Sequence, residues 1–240
     1  MAIYKSDFKV RVTDIDKKCK MTNKAMLDIF QNVAGMHSES LHLGINDIEN
    51  NKLSWIILNW RLKVLKRPRY NETIIAKTWI REANKFFTFR DFELLDNSGN
   101  LLAIGTSKWS LINIDTKKLI HISDEIIDKY TVEEKTVFNK EEIKKLKEPE
   151  VVNKTMNYKV LRKDIDINEH VHNLYYLDIA YECLPEKIYT NDLNNVEIEY
   201  KKQIRLDDPI VINYSTEDEK NVIAIKSKDQ KVLYAIIKIY

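Results

Sequence analysis

The sequence predicts an α+β fold in which one unit is used twice in tandem, each copy setting a long central helix against an antiparallel sheet. Three observations predict it: an ungapped internal repeat, one amphipathic helical stretch early in each copy, and a run of strand candidates after each helix. The repeat aligns FKVRVTDID at residues 8–16 with YKVLRKDID at residues 158–166, an offset of 150. From residue 8 to residue 29, nine pairs are identical, among them Asp14/Asp164, Ile15/Ile165, Asp16/Asp166, Asn23/Asn173 and Leu27/Leu177. Similar elements from unrelated sources would not preserve DID followed at a fixed distance by Asn and then Leu-Asp-Ile.

The elements follow in order. A short strand at 8–12 leads through a polar loop into the first helix, whose inward face is Met26, Ile29, Phe30, Val33, His37 and Leu41 at helical spacing. Thr22 is its expected N-cap and Gly44 its stop. Strands are expected at 55–64, 73–81, 86–95 and 101–113. The first alternates Ile56, Leu58, Trp60, Leu62 and Val64 on one face, and Asp96-Asn97-Ser98-Gly99 marks the hairpin between the last two. In the second copy the helix is expected from 171 to 184, stopped by Pro185, with strands at 196–204, 209–215, 222–227 and 232–240. The domains then read as 1–120, a charge-dense connector at 121–153, and 154–240. Thr131 and Glu134 match a capping box, so the connector is expected to form short surface helices.

Composition narrows the classes of function. With 39 Lys+Arg against 37 Asp+Glu the net charge is +2, so no global field marks a nucleic-acid binder, and none is expected as a partner. No stretch reaches the roughly 20 apolar residues of a membrane helix. The start MAIYKSDF lacks a signal-peptide run, and Cys19 and Cys183 stand in no ligand spacing. A cytoplasmic protein without metal or cofactor is the expectation.

The chemistry concentrates in residues 162–185, RKDIDINEHVHNLYYLDIAYECLP. This segment resembles the second repeat of the plant and bacterial fatty acyl-ACP thioesterases, which carries a D-x-N-x-H-V-x-N signature. Here it reads Asp166, Asn168, His170, Val171 and Asn173. The first repeat is similar to the same family at 53–80, with its Trp, R-x-P and Thr-Trp ending, and at GTSKWSLINIDTKKL, residues 105–119. The resemblance implies a double hot-dog fold. It also implies hydrolysis of the fatty acyl-ACP thioester to free fatty acid and holo-ACP, a step of fatty acid biosynthesis, at one site near the start of the second helix. The repeat points the same way, since subtracting 150 from Asn168 and His170 gives Lys18 and Lys20.

Thioester hydrolysis needs donors for the developing oxyanion and a water aimed at the carbon. Main-chain N–H groups of Val171 and His172 are the expected oxyanion donors, Asn168 and His170 would position thioester and water, and Asp166 would be the base or fix it. The chain departs from the family at Gln203 and Ile204, where the plant members carry Glu then Cys. Gln203 cannot act as a base but can orient the water, and neither cysteine is placed to be a nucleophile.

Met26, Phe30, Val33 and Trp55 are acyl-pocket candidates, with ordinary core packing as the alternative, and His37 is read as a core histidine. Lys63, Lys66, Arg67 and Arg69 are candidates for docking an acidic acyl carrier protein, with Lys201, Lys202 and Arg205 as their second-repeat analogue. Other readings stay open: an acyl-CoA thioesterase, a dehydratase-like hot-dog enzyme, or a non-catalytic acyl binder. Assembly as a homodimer is also open, because fusion already supplies the pairing that single units obtain by dimerising.

Overall fold

The structure, a computed structural model, describes residues 2–139 and 145–240, in two compact units, Met1–Ile143 and Lys144–Tyr240. In the first, β1 (Tyr4–Lys9) precedes α1 (Asn23–Ser40) and the short α2 (Ile48–Asn51). The strands β2 (Leu53–Val64), β3 (Thr73–Ala83), β4 (Thr88–Asp96), β5 (Leu101–Asn113) and β6 (Leu119–Ile120) follow, then α3 (Asp124–Tyr130). The strand order is β1-β3-β4-β5-β2, antiparallel throughout, with β6 paired to β5. The second unit holds β7 (Lys154–Lys159), α4 (Tyr175–Tyr181), α5 (Glu186–Tyr189), β8 (Asn195–Tyr200), β9 (Pro209–Glu217), β10 (Lys220–Ser227) and β11 (Leu233–Ile239). Its order, β7-β9-β10-β11-β8, repeats that of the first. The expected α+β fold is what the chain adopts.

α1 starts where Thr22 caps it, the hydroxyl oxygen accepting the Ala25 N–H at 3.1 Å. Its inward face lies on the sheet with Met26, Leu27, Phe30 and Val33 fully buried, each worth about 1.5–3 kcal/mol of transfer free energy. Phe30 stacks on Phe92 at 4.9 Å and fills the space above Gly105, where a Cβ would come within 2.6 Å of the ring. The helix ends before Gly44, however. Leu41 is its C-cap, and His42 rather than glycine takes the left-handed conformation, φ 58°. His37 is a core histidine as expected, its Nδ1 3.0 Å from Arg90 Nη1.

The Asp96 hairpin forms as predicted. Asp96 Oδ1 accepts the N–H groups of Ser98 and Asn100, and Gly99 takes φ 83°.

Two further expectations fail. The second helix is short, because residues 171–174 are drawn into a turn. Val171 pairs with Ile165, and the Leu174 N–H reaches the His172 ring at 3.4 Å. At its other end Cys183 and Leu184 bond three residues back, the tightening expected ahead of Pro185. Thr131 heads no helix. It closes α3 with φ 57°, and Ser123 is that helix's cap. Elsewhere in the connector no helix occurs among the described residues, and residues 140–144 lie outside them. No helix of the described residues is long and apolar enough to cross a membrane.

Candidate active site

The site is best seen against its counterpart in the first unit, because the two share a hydrogen-bond frame. In the first unit the Asp16 N–H donates to the Lys20 carbonyl (2.9 Å) and the Cys19 N–H to the Asp16 carbonyl (2.9 Å). In the second the Asp166 N–H donates to the His170 carbonyl (2.9 Å) and the Glu169 N–H to the Asp166 carbonyl (3.0 Å). Cys19 and Glu169 both sit at positive φ, 57° and 63°. The first carboxylate of each loop is its organiser: Asp16 Oδ1 accepts the Lys18 N–H and Asp166 Oδ1 the Asn168 N–H, both at 2.8 Å. Before each loop a buried aspartate, Asp14 or Asp164, takes the N–H of residue 11 or 161.

Three of the predicted residues, Asp166, Asn168 and His170, therefore share one closed five-residue loop. Asp166 and His170 are half-buried and Asn168 is exposed. Asn168 and His170 stand where the first unit carries Lys18 and Lys20, so the two loops differ in side-chain chemistry on one backbone.

The predicted main-chain oxyanion donors are already engaged. The Val171 N–H donates to the Ile204 carbonyl (2.8 Å) and the His172 N–H to the Asp164 carbonyl (2.8 Å). Both bonds belong to the frame itself, recurring as Met21 to Pro68 (2.9 Å) and Thr22 to Asp14 (2.9 Å). Neither N–H is available to hold an oxyanion.

The Val171–Ile204 bond sets Gln203, whose side chain is exposed, beside the segment that follows the loop. Two tyrosines hold this junction, and sequence reading missed both. The Tyr176 hydroxyl accepts the Ile204 N–H (3.0 Å) and donates to the Lys202 carbonyl (3.2 Å); the Tyr200 hydroxyl donates to the Asn173 carbonyl (2.8 Å). Burial pushes both phenols well above their ordinary range, so they serve as O–H donors, not as acids or bases. Nothing but the abundance of tyrosine in the chain hinted at them.

Neither thiol suits nucleophilic work. Cys183 is buried against the Ala180 carbonyl, and burial pushes its thiol up to about 12, while Cys19 is exposed in the loop that lacks the polar set.

In the first unit, Met26, Phe30 and Val33 pack fully buried under α1, and Trp55 is half-buried with its ring 6.1 Å from Tyr130. Lys63, Lys66 and Arg69 are exposed. Arg67 is instead committed to the fold, Nη1 donating to the Met21 carbonyl and Nη2 to Asn23 Oδ1, each at 2.9 Å. It therefore cannot be counted among free docking cations.

A helix packed on an antiparallel sheet, built twice in one chain with one strand order, is the tandem hot-dog class. Two solved structures share it over almost their whole length. An acyl-ACP thioesterase from Bacteroides thetaiotaomicron superposes with TM-score 0.87 at 20% identity, covering 99% of this chain and 97% of its own. The 12:0-ACP thioesterase from Umbellularia californica gives 0.87 at 20%, covering 100% and 96%.

The sequence places the chain more closely. Residues 1–130 match the acyl-ACP thioesterase N-terminal domain and residues 146–238 the acyl-ACP thioesterase C-terminal domain. The chain belongs to the acyl-ACP thioesterase family. Among curated relatives, oleoyl-acyl carrier protein thioesterase 2, chloroplastic, of Arabidopsis thaliana is 26% identical over 240 residues, which are 93% of this chain and 65% of that protein. A chloroplastic acyl-[acyl-carrier-protein] hydrolase of Cuphea viscosissima is 28% identical over 219 residues, 85% of this chain and 52% of that one. The chain thus spans between half and two thirds of the length of these relatives.

Proposed function

We propose that this chain hydrolyses the thioester of fatty acyl-ACP, releasing free fatty acid and holo-ACP. Membership of the family supports the reaction class. The observation that carries the site assignment is the replacement of Lys18 and Lys20 by Asn168 and His170 on one backbone frame. In the proposed mechanism water attacks the acyl carbon. His170 takes a proton from it, and Asn168 donates its side-chain N–H to the developing oxyanion. The tetrahedral intermediate then collapses, the C–S bond breaks, and the proton held by His170 passes to the leaving thiolate. Asp166 acts by fixing the loop, the same task its copy performs in the first unit. Gln203 faces the water as a hydrogen-bond partner.

In this reading residues 1–120 bind the acyl chain, with Met26, Phe30, Val33 and Trp55 lining its path, and residues 154–240 supply catalysis. Lys63, Lys66 and Arg69 offer positive charge to an acidic carrier protein. Two free cysteines suit a reducing compartment, and the cytoplasm is the proposed setting. The decisive experiment is release of free thiol from acyl-ACP over a series of chain lengths, with matched acyl-CoA controls. Thiol from acyl-ACP supports the proposal. Thiol from acyl-CoA alone would shift the carrier, and none from either would leave a dehydratase or a binder.

A further inference from the structure

We infer that Asn173 is a further catalytic residue of this site, its side-chain oxygen accepting a hydrogen bond from the water that attacks the thioester. The inference rests on the thioesterase reading above.

It begins from the shared frame. The Met21 N–H bonds the Pro68 carbonyl as the Val171 N–H bonds the Ile204 carbonyl, and Glu72 N–H bonds Arg69 as Asp208 N–H bonds Arg205. Thr73 pairs with Lys9 as Pro209 pairs with Lys159. Residue 203 therefore occupies the place of residue 67, and residue 173 that of residue 23. In the first unit the Arg67 guanidinium spans this corner and its Nη2 donates to Asn23 Oδ1 at 2.9 Å. The asparagine oxygen is covered there by a cation.

The second unit keeps the asparagine and loses the cation. Gln203 is about two bonds shorter than arginine and carries no charge. Asn173 Oδ1 is buried and accepts no hydrogen bond from any described residue, although the Asn173 main chain is held in place by the Tyr200 hydroxyl. An enclosed, unpaired amide oxygen is costly to a fold, so its persistence beside the Asp166–His170 loop points to a donor that arrives with the reaction. The thioester carbonyl and sulfur donate nothing. Water does. Its oxygen bonds the acyl carbon, one proton goes to His170 and on to the thiolate, and the hydrogen held by Asn173 stays on the oxygen of the product acid. The place filled by the end of the Arg67 side chain thus becomes, one repeat later, the seat of the nucleophile.

The test uses the full chain, the acyl-ACP it cleaves fastest, and thermal unfolding beside each assay. Asn173→Ala should lower kcat roughly a hundredfold, the effect of losing one transition-state hydrogen bond, with KM within threefold and Tm not reduced. Asn173→Asp, which keeps an acceptor oxygen, should recover at least tenfold of that loss. Gln203→Arg should abolish thiol release and raise Tm by restoring the first unit's bridge, and the gain in Tm should vanish when Asn173→Ala is added.

A kcat within threefold for Asn173→Ala overturns the inference. So does a loss carried by KM, which would mean that Asn173 holds an amide of the pantetheine arm. A Tm gain from Gln203→Arg that ignores residue 173 would show that the two corners are not equivalent. A wild-type chain that releases no thiol from any acyl-ACP is a separate result, which removes the thioesterase reading itself.

Discussion

Residues 16–20 and 166–170 trace one loop twice, with the same carboxylate organising each turn and the same left-handed residue near its end. What differs is confined to side chains: Lys17, Lys18, Cys19 and Lys20 against Ile167, Asn168, Glu169 and His170, and Arg67 against Gln203 at the neighbouring corner. The first unit closes its corner with a guanidinium bridge, whereas the second leaves amides and an imidazole there. A duplicated fold can in this way keep one copy as scaffold and furnish the other for chemistry without altering the backbone.

The largest effect expected from this contrast is at His170. Replacing it with alanine should lower kcat/KM about a thousandfold, and Asn168→Ala about a hundredfold, while Lys20→Ala and Lys18→Ala leave the rate within twofold. Steady-state thiol release from acyl-ACP measures all four. Equal losses at Lys20 and His170 would erase the distinction between furnished and unfurnished loops.

The repeat itself, nine of the eleven strands and most of the core face of α1 were legible in the sequence, because burial at a fixed period leaves its pattern in the order of residues; the two-residue β6 and the edge strand β7 were not read. Strand ends slipped by a few residues where pairing partners, invisible in one chain segment, decide where a ladder stops. The second helix was overread for a related reason. Val171 looks like the first apolar residue of a helical stripe, yet its N–H is needed by Ile204, more than thirty positions onward. That same bond removed one expected oxyanion donor, and the bond from the His172 N–H to the Asp164 carbonyl removed the other. Arg67 shows the limit for charge: a basic cluster reads as a patch, and only its contacts with Met21 and Asn23 reveal that one member belongs to the interior.

Asp166 sharpens the comparison next. If its carboxylate organises the loop as Asp16 does, Asp166→Asn, which keeps an acceptor for the Asn168 N–H, should lose less than tenfold in kcat. Asp166→Ala should lose several tens of fold. Asp16→Ala should lower Tm as much as Asp166→Ala does while leaving turnover intact. A thousandfold loss for Asp166→Asn would instead make the carboxylate a base, and the one side chain the two loops share would then do different work in each.

A smaller effect separates Arg67 from its neighbours. Arg67→Ala removes two charge-assisted hydrogen bonds and should cost about 1.5–3 kcal/mol of stability, seen as a Tm lowered by several degrees. Lys63→Glu with Lys66→Glu should leave Tm nearly unchanged and raise KM for acyl-ACP a few-fold at low salt, an increase that fades as salt screens it. A salt-independent KM would take the carrier away from this surface.

The smallest expected effect concerns the two thiols, which fall one in each unit. A thiolate is the reactive form, and burial pushes Cys183 up to about 12, so near neutral pH it is almost wholly protonated as well as enclosed. Cys19 is exposed. Alkylation of the folded chain at pH 7.5 should therefore modify Cys19 alone, as read by peptide mass, and Cys183 should react only after denaturation. Because Cys19 sits in the loop without the polar set, its modification should leave thiol release from acyl-ACP unchanged. Inactivation that tracks labelling of Cys19 would place the first loop in the reaction after all and break the division between scaffold and site.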